Sequence, residues 1–183
     1  AQASILASPP TPQNMVGAII EDQVKLIGYD IDQTTVKAGE EFTVTYYIEA
    51  LADVMGDNMV FVHFQGRKND RRAWMNLDHH LVEGLLPLRK LKKGQIVKDV
   101  QRIRVKPEFP SGSATVYWGL WRGQHRLKIT NAAEVPHDKE GRVIISKVQI
   151  QGKANQDKLR SAYAAQLQPG ESVTIDGKLD EAV

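Results

Sequence analysis

The sequence contains no cysteine, which excludes disulfides, thiolate metal sites and cysteine nucleophiles. It also contains no apolar run near the roughly 20 residues that a membrane-spanning helix needs, so we expect no span within this segment. Neither sign of charge dominates, because 24 Lys and Arg residues against 22 Asp and Glu residues leave a net charge of +2. Proteins that bind nucleic acid through its phosphates normally carry a denser positive field. We therefore expect no nucleic-acid partner.

The short motifs of common catalytic sites are missing too. The sequence has no nucleophile elbow, no phosphate-cradling glycine loop and no zinc-protease helix. Glu40 and Glu41 are adjacent, and neighbouring residues of a strand point to opposite faces, which is a poor arrangement for paired acid and base catalysis. We therefore expect no enzyme, no catalytic residues and no cofactor.

What the chain does have is a rhythm of short β-rich runs broken by turn residues, which is typical of all-β sandwiches and barrels. Its 183 residues favour one domain with flanking segments. We predict an immunoglobulin-like or jelly-roll antiparallel β-sandwich over residues 23–152. Residues 1–22 are expected to form a flexible tail, because Pro9, Pro10 and Pro12 favour extended conformations without a core.

Two-residue alternation places the individual strands. Phe42, Val44, Tyr46 and Ile48 share one face of a strand. The alternation of residues 143–150 breaks near Ser146, which indicates a β-bulge. Residues 36–41 are predicted to turn, and residues 80–97 to form an ordered loop that crosses between sheets. The predicted strands cover residues 24–29, 42–48, 59–64, 73–77, 97–105, 115–121, 126–129 and 143–150.

The chain changes character after the last of these strands. Leu159, Tyr163 and Leu167 recur at four-residue spacing among alanines and polar residues, which is a helical period. We predict a C-terminal linker helix over residues 153–170, ended by Pro169 and Gly170. Residues 171–183 are interpreted as the truncated start of a following domain.

Residues 23–150 resemble a β-sandwich domain of bacterial extracytoplasmic proteins, one that often follows the membrane portion of lipid-linked-sugar glycosyltransferases. The likeness is spread over many short matches. They are the runs 24–30, 36–40, 61–64 and 77–79, Gly84 and Pro87, and the runs 93–99, 110–112 and 116–121. The resemblance implies a sandwich fold, a location outside the cytoplasm in the periplasm or at the cell surface, and a membrane tether upstream.

Residues 173–182 resemble the opening strand of a family nine carbohydrate-binding module, or of a related heme- and sugar-binding sandwich. The run reads Val-Thr-Ile-Asp-Gly-Lys-Leu-Asp-Glu-Ala. This resemblance implies that residues 153–170 join the first sandwich to a second one.

One polar cluster has the composition of a metal site. His63, Asp78, His79 and His80 carry imidazole and carboxylate groups that bind zinc or copper when three of them converge. His79 and His80 are adjacent, so both can face a common ion only if the loop is distorted. The alternative interpretation is that Asp78 and the histidines anchor the long loop through hydrogen bonds.

Aromatic residues offer a different kind of site. Trp74, Trp121 and Tyr117 are candidates for stacking against the apolar face of a sugar ring, which requires that they be exposed. By alternation Tyr117 and Trp121 share one face of their strand and Trp118 lies on the other, so at least one tryptophan belongs to the core. Core packing is the alternative for each of them.

Two basic runs lie in predicted loops. One comprises Arg67, Lys68, Arg71 and Arg72, and the other comprises Arg89, Lys90, Lys92 and Lys93. Both could contact anionic headgroups, phosphorylated glycans or an acidic partner, and the alternative is a solvated face diluted by nearby acids.

These features favour a non-catalytic binding or spacer module of a bacterial envelope protein, with a glycan or another envelope protein as its partner. A structural protein–protein interaction domain is the first alternative, and an exposed apolar patch around Phe61 would favour it. A metal-dependent enzyme built on the histidine cluster is the second.

Overall fold

The computed structural model describes residues 4–153, which form eleven β-strands and three short 3-10 turns. The strands are Ile5–Leu6 (β1), Asn14–Ile20 (β2), Val24–Ile31 (β3), Thr35–Ala38 (β4), Glu41–Ala50 (β5), Asn58–Gln65 (β6), Trp74–Asn76 (β7), Ile96–Arg104 (β8), Gly112–Arg122 (β9), His125–Arg126 (β10) and Val143–Lys153 (β11). The 3-10 turns are Arg71–Ala73, Leu88–Lys90 and Ala132–Glu134.

The strands form two sheets that pack face to face as a sandwich. The first sheet has the order β1-β8-β5-β3-β2 and the second has the order β4-β11-β9-β6-β7, with β10 paired to β9. The predicted all-β sandwich is therefore confirmed. Its pairing is antiparallel except between β4 and β11, which run parallel.

Alternation in the sequence explains where the core lies. In β5 the side chains of Phe42, Val44, Tyr46 and Ile48 are fully buried, as two-residue periodicity predicts. On the facing sheet Trp118 is also fully buried, which confirms that one tryptophan belongs to the core. The bulge predicted near Ser146 is present as well, because the register of β11 against β9 shifts between Ile144 and Ser146.

The segment expected to be a flexible tail contains two strands. Strand β1 pairs with β8, and β2 pairs with β3 along the edge of the first sheet, burying Ala18 and Ile20. The register of β2 shifts between Met15 and Ala18, around Gly17 at φ 74°. This bulge interrupts the alternation that would reveal the strand, and the prolines before it favour an extended tail instead.

Two further boundaries differ from the predictions. The expected turn at residues 36–41 contains most of β4, which pairs with β11, and the chain turns only at Gly39 and Glu40. The strand expected at residues 126–129 is limited to β10, although Ile129 forms an isolated bridge with Ile20.

The long connection between β7 and β8 crosses from the second sheet to the first, as predicted. Leu81, Leu86, Leu88 and Leu91 bury their side chains in the core, which gives this loop an ordered path. The predicted linker helix at 153–170 and the start of a domain at 171–183 lie outside the described residues. Within the described part of the chain, no helix is long and apolar enough to cross a membrane.

Candidate functional site

The candidate site lies on the outer face of the second sheet. Strands β6 and β9 pair Phe61 with Gly119, His63 with Tyr117 and Met59 with Trp121. The intervening residues Val60, Val62, Trp118 and Leu120 belong to the core cluster, so the paired set faces away from it. Strand β7 adds Trp74 to the same face, because Trp74 pairs with Gln65. All three sugar-stacking candidates are therefore on one surface.

Phe61 and Gly119 form the floor of this surface. A Cβ atom at position 119 would lie 2.6 Å from Cε1 of Phe61. The Phe61 ring therefore packs directly on the backbone of residue 119, which leaves room only for glycine. Phe61 is 2% exposed, yet it lies outside the core cluster. The Arg126 guanidinium stands 5.3 Å from the centre of its ring, and the His63 ring centre is 5.1 Å away. Phe61 is therefore covered, although an exposed apolar patch around it would have favoured a protein-docking surface.

Above this floor is an open groove of about 410 Å³. It combines two aromatic rings with hydrogen-bonding side chains, the composition that ligand sites commonly have. The lining residues are Phe61, His63, Asp78, Trp121, Gly123, Gln124, His125 and Arg126.

Two tryptophans on this surface, one exposed and one half-buried, lie on either side of His63 and Phe61. Trp74 is 40% exposed, and its ring lies 5.7 Å from that of His63. Trp121 is half-buried and lines the groove, while its Nε1 atom is buried without a hydrogen-bond partner among the described residues.

Tyr117, the third sugar-stacking candidate, is in contact with a buried arginine. The guanidinium of Arg142 lies 3.8 Å from the centre of its ring and covers it. Arg142 is 4% exposed and binds Asp138 and the side-chain oxygen of Gln65, which ties the segment before β11 onto the sheet. Tyr117 is therefore a support for Arg142. Sequence reasoning missed Arg142, because nothing in its neighbours marks a buried arginine.

His63 presents a ring nitrogen at the edge of the groove. Nη1 of Arg142 lies 3.4 Å from its Nδ1 atom, and since a guanidinium cannot accept, this contact favours the tautomer in which Nδ1 accepts and Nε2 carries the proton. Burial lowers the pKa of His63, Asp78 opposes this, and the positive charges of Arg142 and Arg126 add to the lowering. The surroundings therefore favour the uncharged form of the imidazole.

Asp78 lies opposite His63 with its carboxylate only partly satisfied. Its Oδ1 accepts the backbone N–H of Val62 at 3.3 Å and lies 3.8 Å from Nε2 of His63. That separation is too long for a hydrogen bond. The side chains of His63 and Asp78 are 12% and 19% exposed, so both are largely fixed by their surroundings and still reach the groove.

His79 points away from Asp78 and toward the first sheet. Its Nε2 lies 2.8 Å from Oδ2 of Asp99, which is 1% exposed, and Gln101 reaches its Nδ1 at 3.0 Å. Burial acts to lower the pKa of His79, but the hydrogen bond and charge of Asp99 outweigh it and raise that pKa. The loop-anchoring alternative therefore describes His79, and Asp99 is the partner that sequence did not identify.

The proposed metal ligands do not converge. His63 and Asp78 face the groove, His79 faces Asp99, and Nδ1 of His80 is buried without a hydrogen-bond partner among the described residues. Between residues 4 and 153, no three His, Asp or Glu side chains are grouped so that they could hold a metal ion. Adjacent residues on an extended chain point in opposite directions, which is the physical reason.

The basic runs are partly neutralised by acids. Arg72 binds Asp70, Lys92 binds Asp53 at 3.1 Å, and Arg89 pairs with Asp57. These pairs lie at the surface, away from the lining of the groove.

Comparison with known proteins leaves the family open. No protein-family model matches the chain, and no curated protein matches it. Two solved structures share part of the fold. The C-terminal domain of wzt is 9% identical in sequence with a TM-score of 0.46, and the match covers 80% of this chain and 83% of the wzt domain. A Niemann-Pick type C2 protein from Japanese carpenter ant is 14% identical in sequence with a TM-score of 0.42, and the match covers 73% of this chain and 99% of the ant protein. At these values the function has to be inferred from the side chains themselves.

Proposed function

We propose that the sandwich described above, residues 4–153, is a non-catalytic binding module of a bacterial envelope protein, and that the module binds a carbohydrate in the groove on the outer face of its second sheet. The observation that carries this proposal is the groove in which Trp121 lies with His63 and Asp78, together with the exposed ring of Trp74, whose centre is 5.7 Å from that of His63. Sugar rings have apolar faces and hydroxyl edges, so a site that combines flat aromatic surface with fixed polar groups suits them.

The polar groups around the groove supply the second requirement. Asp78 accepts hydrogen bonds, His63 donates one, and Gln124 and Arg126 lie at the rim. His63 and Asp78 are held by neighbouring rings and by the backbone of the sheet, so they would lose little conformational freedom on binding a ligand.

The non-catalytic assignment rests on the carboxylates. Glycoside hydrolysis generally uses two carboxyl groups on either side of the scissile bond. Among the described lining residues Asp78 alone carries one. The envelope setting follows from the resemblance of residues 23–150 to extracytoplasmic sandwich domains, and fractionation of the native protein into the cytoplasm would contradict it.

The binding proposal is tested with the purified 183-residue chain on a glycan array, followed by calorimetry. We expect saturable binding, weakened roughly tenfold or more by Trp121→Ala or Trp74→Ala, because truncating an aromatic anchor typically removes one to two kcal/mol or more of binding energy. Trp121→Phe should retain much of the affinity, since it keeps an aromatic face.

Tyr47→Ala is the matched control. Tyr47 is half-buried on the outer face of the first sheet, where it donates to Asp30. Its loss should leave glycan binding unchanged. Failure of the chain to bind any glycan, or equal losses in Tyr47→Ala and Trp121→Ala, would contradict the proposal.

A further inference from the structure

His63 and Asp78 form a donor and acceptor pair that the protein leaves open. Their facing atoms, Nε2 and Oδ1, are 3.8 Å apart, so the two side chains do not satisfy each other. Nη1 of Arg142 lies 3.4 Å from Nδ1 of His63, which favours a proton on Nε2, the nitrogen that faces Asp78. The backbone N–H of Val62 binds Oδ1 of Asp78 and fixes the carboxylate.

Neither group can turn away to find another partner. The His63 ring is packed between Phe61 and Trp74, with ring centres 5.1 Å and 5.7 Å away. A fixed donor beside a fixed acceptor matches two adjacent hydroxyl groups, of which one donates to the carboxylate and the other accepts from the imidazole. Hydrogen bonds to charged groups are the stronger kind, so Asp78 contributes most of the discrimination.

We propose that His63 and Asp78 bind a vicinal diol of an uncharged pyranose, and so select sugars by two neighbouring hydroxyl positions. This inference rests on the proposed function, which supplies the aromatic surface against which the ring lies. An acid group at the same position is disfavoured, because it would meet the carboxylate of Asp78 in a partly dry site. Arg126 does not reverse this preference, since it is paired with Glu140 at 3.5 Å.

Arg142 is a positioning residue in this arrangement. It contacts His63 and Tyr117 and lies outside the lining of the groove. Its effect on a ligand would pass through the tautomer and orientation of the imidazole ring.

The test uses nuclear magnetic resonance titration of the full chain with methyl glucoside, galactoside and mannoside pyranosides, with deoxy derivatives at each ring position and with glucuronate. We expect at least one neutral pyranoside to bind, and removal of either of two adjacent hydroxyls to weaken it about tenfold, while removal of the others has little effect. Glucuronate should bind more weakly than glucoside.

Variants then assign the two positions to the two side chains. Asp78→Asn preserves the shape and the bond to Val62 but removes the charge, so it should fold and reduce the sensitivity to one of the two hydroxyls to that of a neutral hydrogen bond. His63→Gln should do the same for the neighbouring hydroxyl. An unchanged deoxy profile in both variants, with binding still lost in Trp121→Ala, would overturn the diol inference and leave the carbohydrate function standing. Tighter binding of glucuronate would overturn the uncharged preference, and no binding of any sugar by the unaltered chain would overturn both proposals.

Discussion

The buried pair of His79 and Asp99 should contribute several kcal/mol to the stability of the sandwich, and its contribution should depend on pH. Asp99 is 1% exposed and accepts two hydrogen bonds of 2.8 Å, one from Nε2 of His79 and one from the backbone N–H of Val82. Val82 and Glu83 have φ angles of 56° and 53°, a region that is unfavourable for a β-branched residue such as valine. The carboxylate therefore holds a strained turn as well as the imidazole.

The magnitude follows from the two bonds. Asp99→Ala would remove a charge-assisted hydrogen bond worth about 1.5–3 kcal/mol and leave the Val82 N–H unpaired at a cost of about 1–3 kcal/mol. We expect the free energy of unfolding to fall by about 3 kcal/mol, which for a chain of this size corresponds to a Tm lower by about 6–12 °C. Asp99→Asn keeps an acceptor for the Val82 N–H, so we expect the free energy of unfolding to fall by about half as much as in Asp99→Ala.

The pH dependence has a defined sign. The pKa of His79 is raised in the folded protein, so the stability that its protonation supplies is complete below the unfolded pKa of about 6.5 and is lost as the pH rises through the folded value. The difference between the unaltered chain and Asp99→Asn should therefore shrink above neutral pH. The pKa of His63 is shifted in the opposite direction, but His63 is present in both proteins and cancels in the difference.

The assay is urea unfolding followed by tryptophan fluorescence at several pH values between about 6 and 9, a range chosen around the histidine pKa. Asp57→Ala is the matched control, because Asp57 pairs with Arg89 at the surface and surface pairs contribute little. A loss below about 1 kcal/mol in Asp99→Ala, or a difference independent of pH, would refute this account of the pair.

Three other substitutions test the packing around the groove and in the core. Gly119→Ala should cost about 1–3 kcal/mol by overpacking and should also weaken glycan binding, because the new methyl group displaces the Phe61 ring; unfolding and titration on the same sample measure both effects. Arg142→Met should cost about 2 kcal/mol by leaving Asp138 without its partner, and thermal unfolding compared with Arg142→Lys separates charge from hydrogen-bond geometry. Phe42→Ala should cost about 3–5 kcal/mol through the cavity it creates in the fully buried core, measured by urea unfolding, and a smaller loss would mean that the core collapses around the site.

The strands that sequence predicted well are those in which alternation continues without interruption. β5 is buried on one face over its whole length and β9 from Ala114 to Leu120, so the period of two alone identifies the inward side chains. β2 was missed because Gly17 introduces a bulge that shifts the alternation by one residue. A propensity argument based on nearby prolines cannot detect pairing with a strand that follows in the chain.

Residue parity also predicted part of the site. It placed Tyr117 and Trp121 on one face, and it showed why His79 and His80 could not share an ion. It could not show that Arg142 covers Tyr117, since that contact depends on how residues 131–142 fold back over the sheet. It also gave no reason to pair His79 with Asp99, which lies 20 residues away on the other sheet.

One short segment joins the groove to the core. Residues 77–79 continue along the edge of β6 after β7 ends. Leu77 donates to the carbonyl of Val62, and His79 exchanges both backbone hydrogen bonds with Val60. Between these two contacts the N–H of Val62 is bound by the side chain of Asp78.

Because neighbouring side chains of an extended segment point in opposite directions, the anchoring of His79 to Asp99 in the interior fixes Asp78 toward the groove. Removing one partner of such a buried pair is costly, whereas replacing both partners with well-packed apolar residues is often neutral. What the pair adds over an apolar contact is therefore a single register and a single loop path. The adjacent polar residues Asp78 and His79, which first suggested a metal site, therefore have two separate roles. His79 holds the long loop, and Asp78, facing His63 across 3.8 Å, is presented to a ligand.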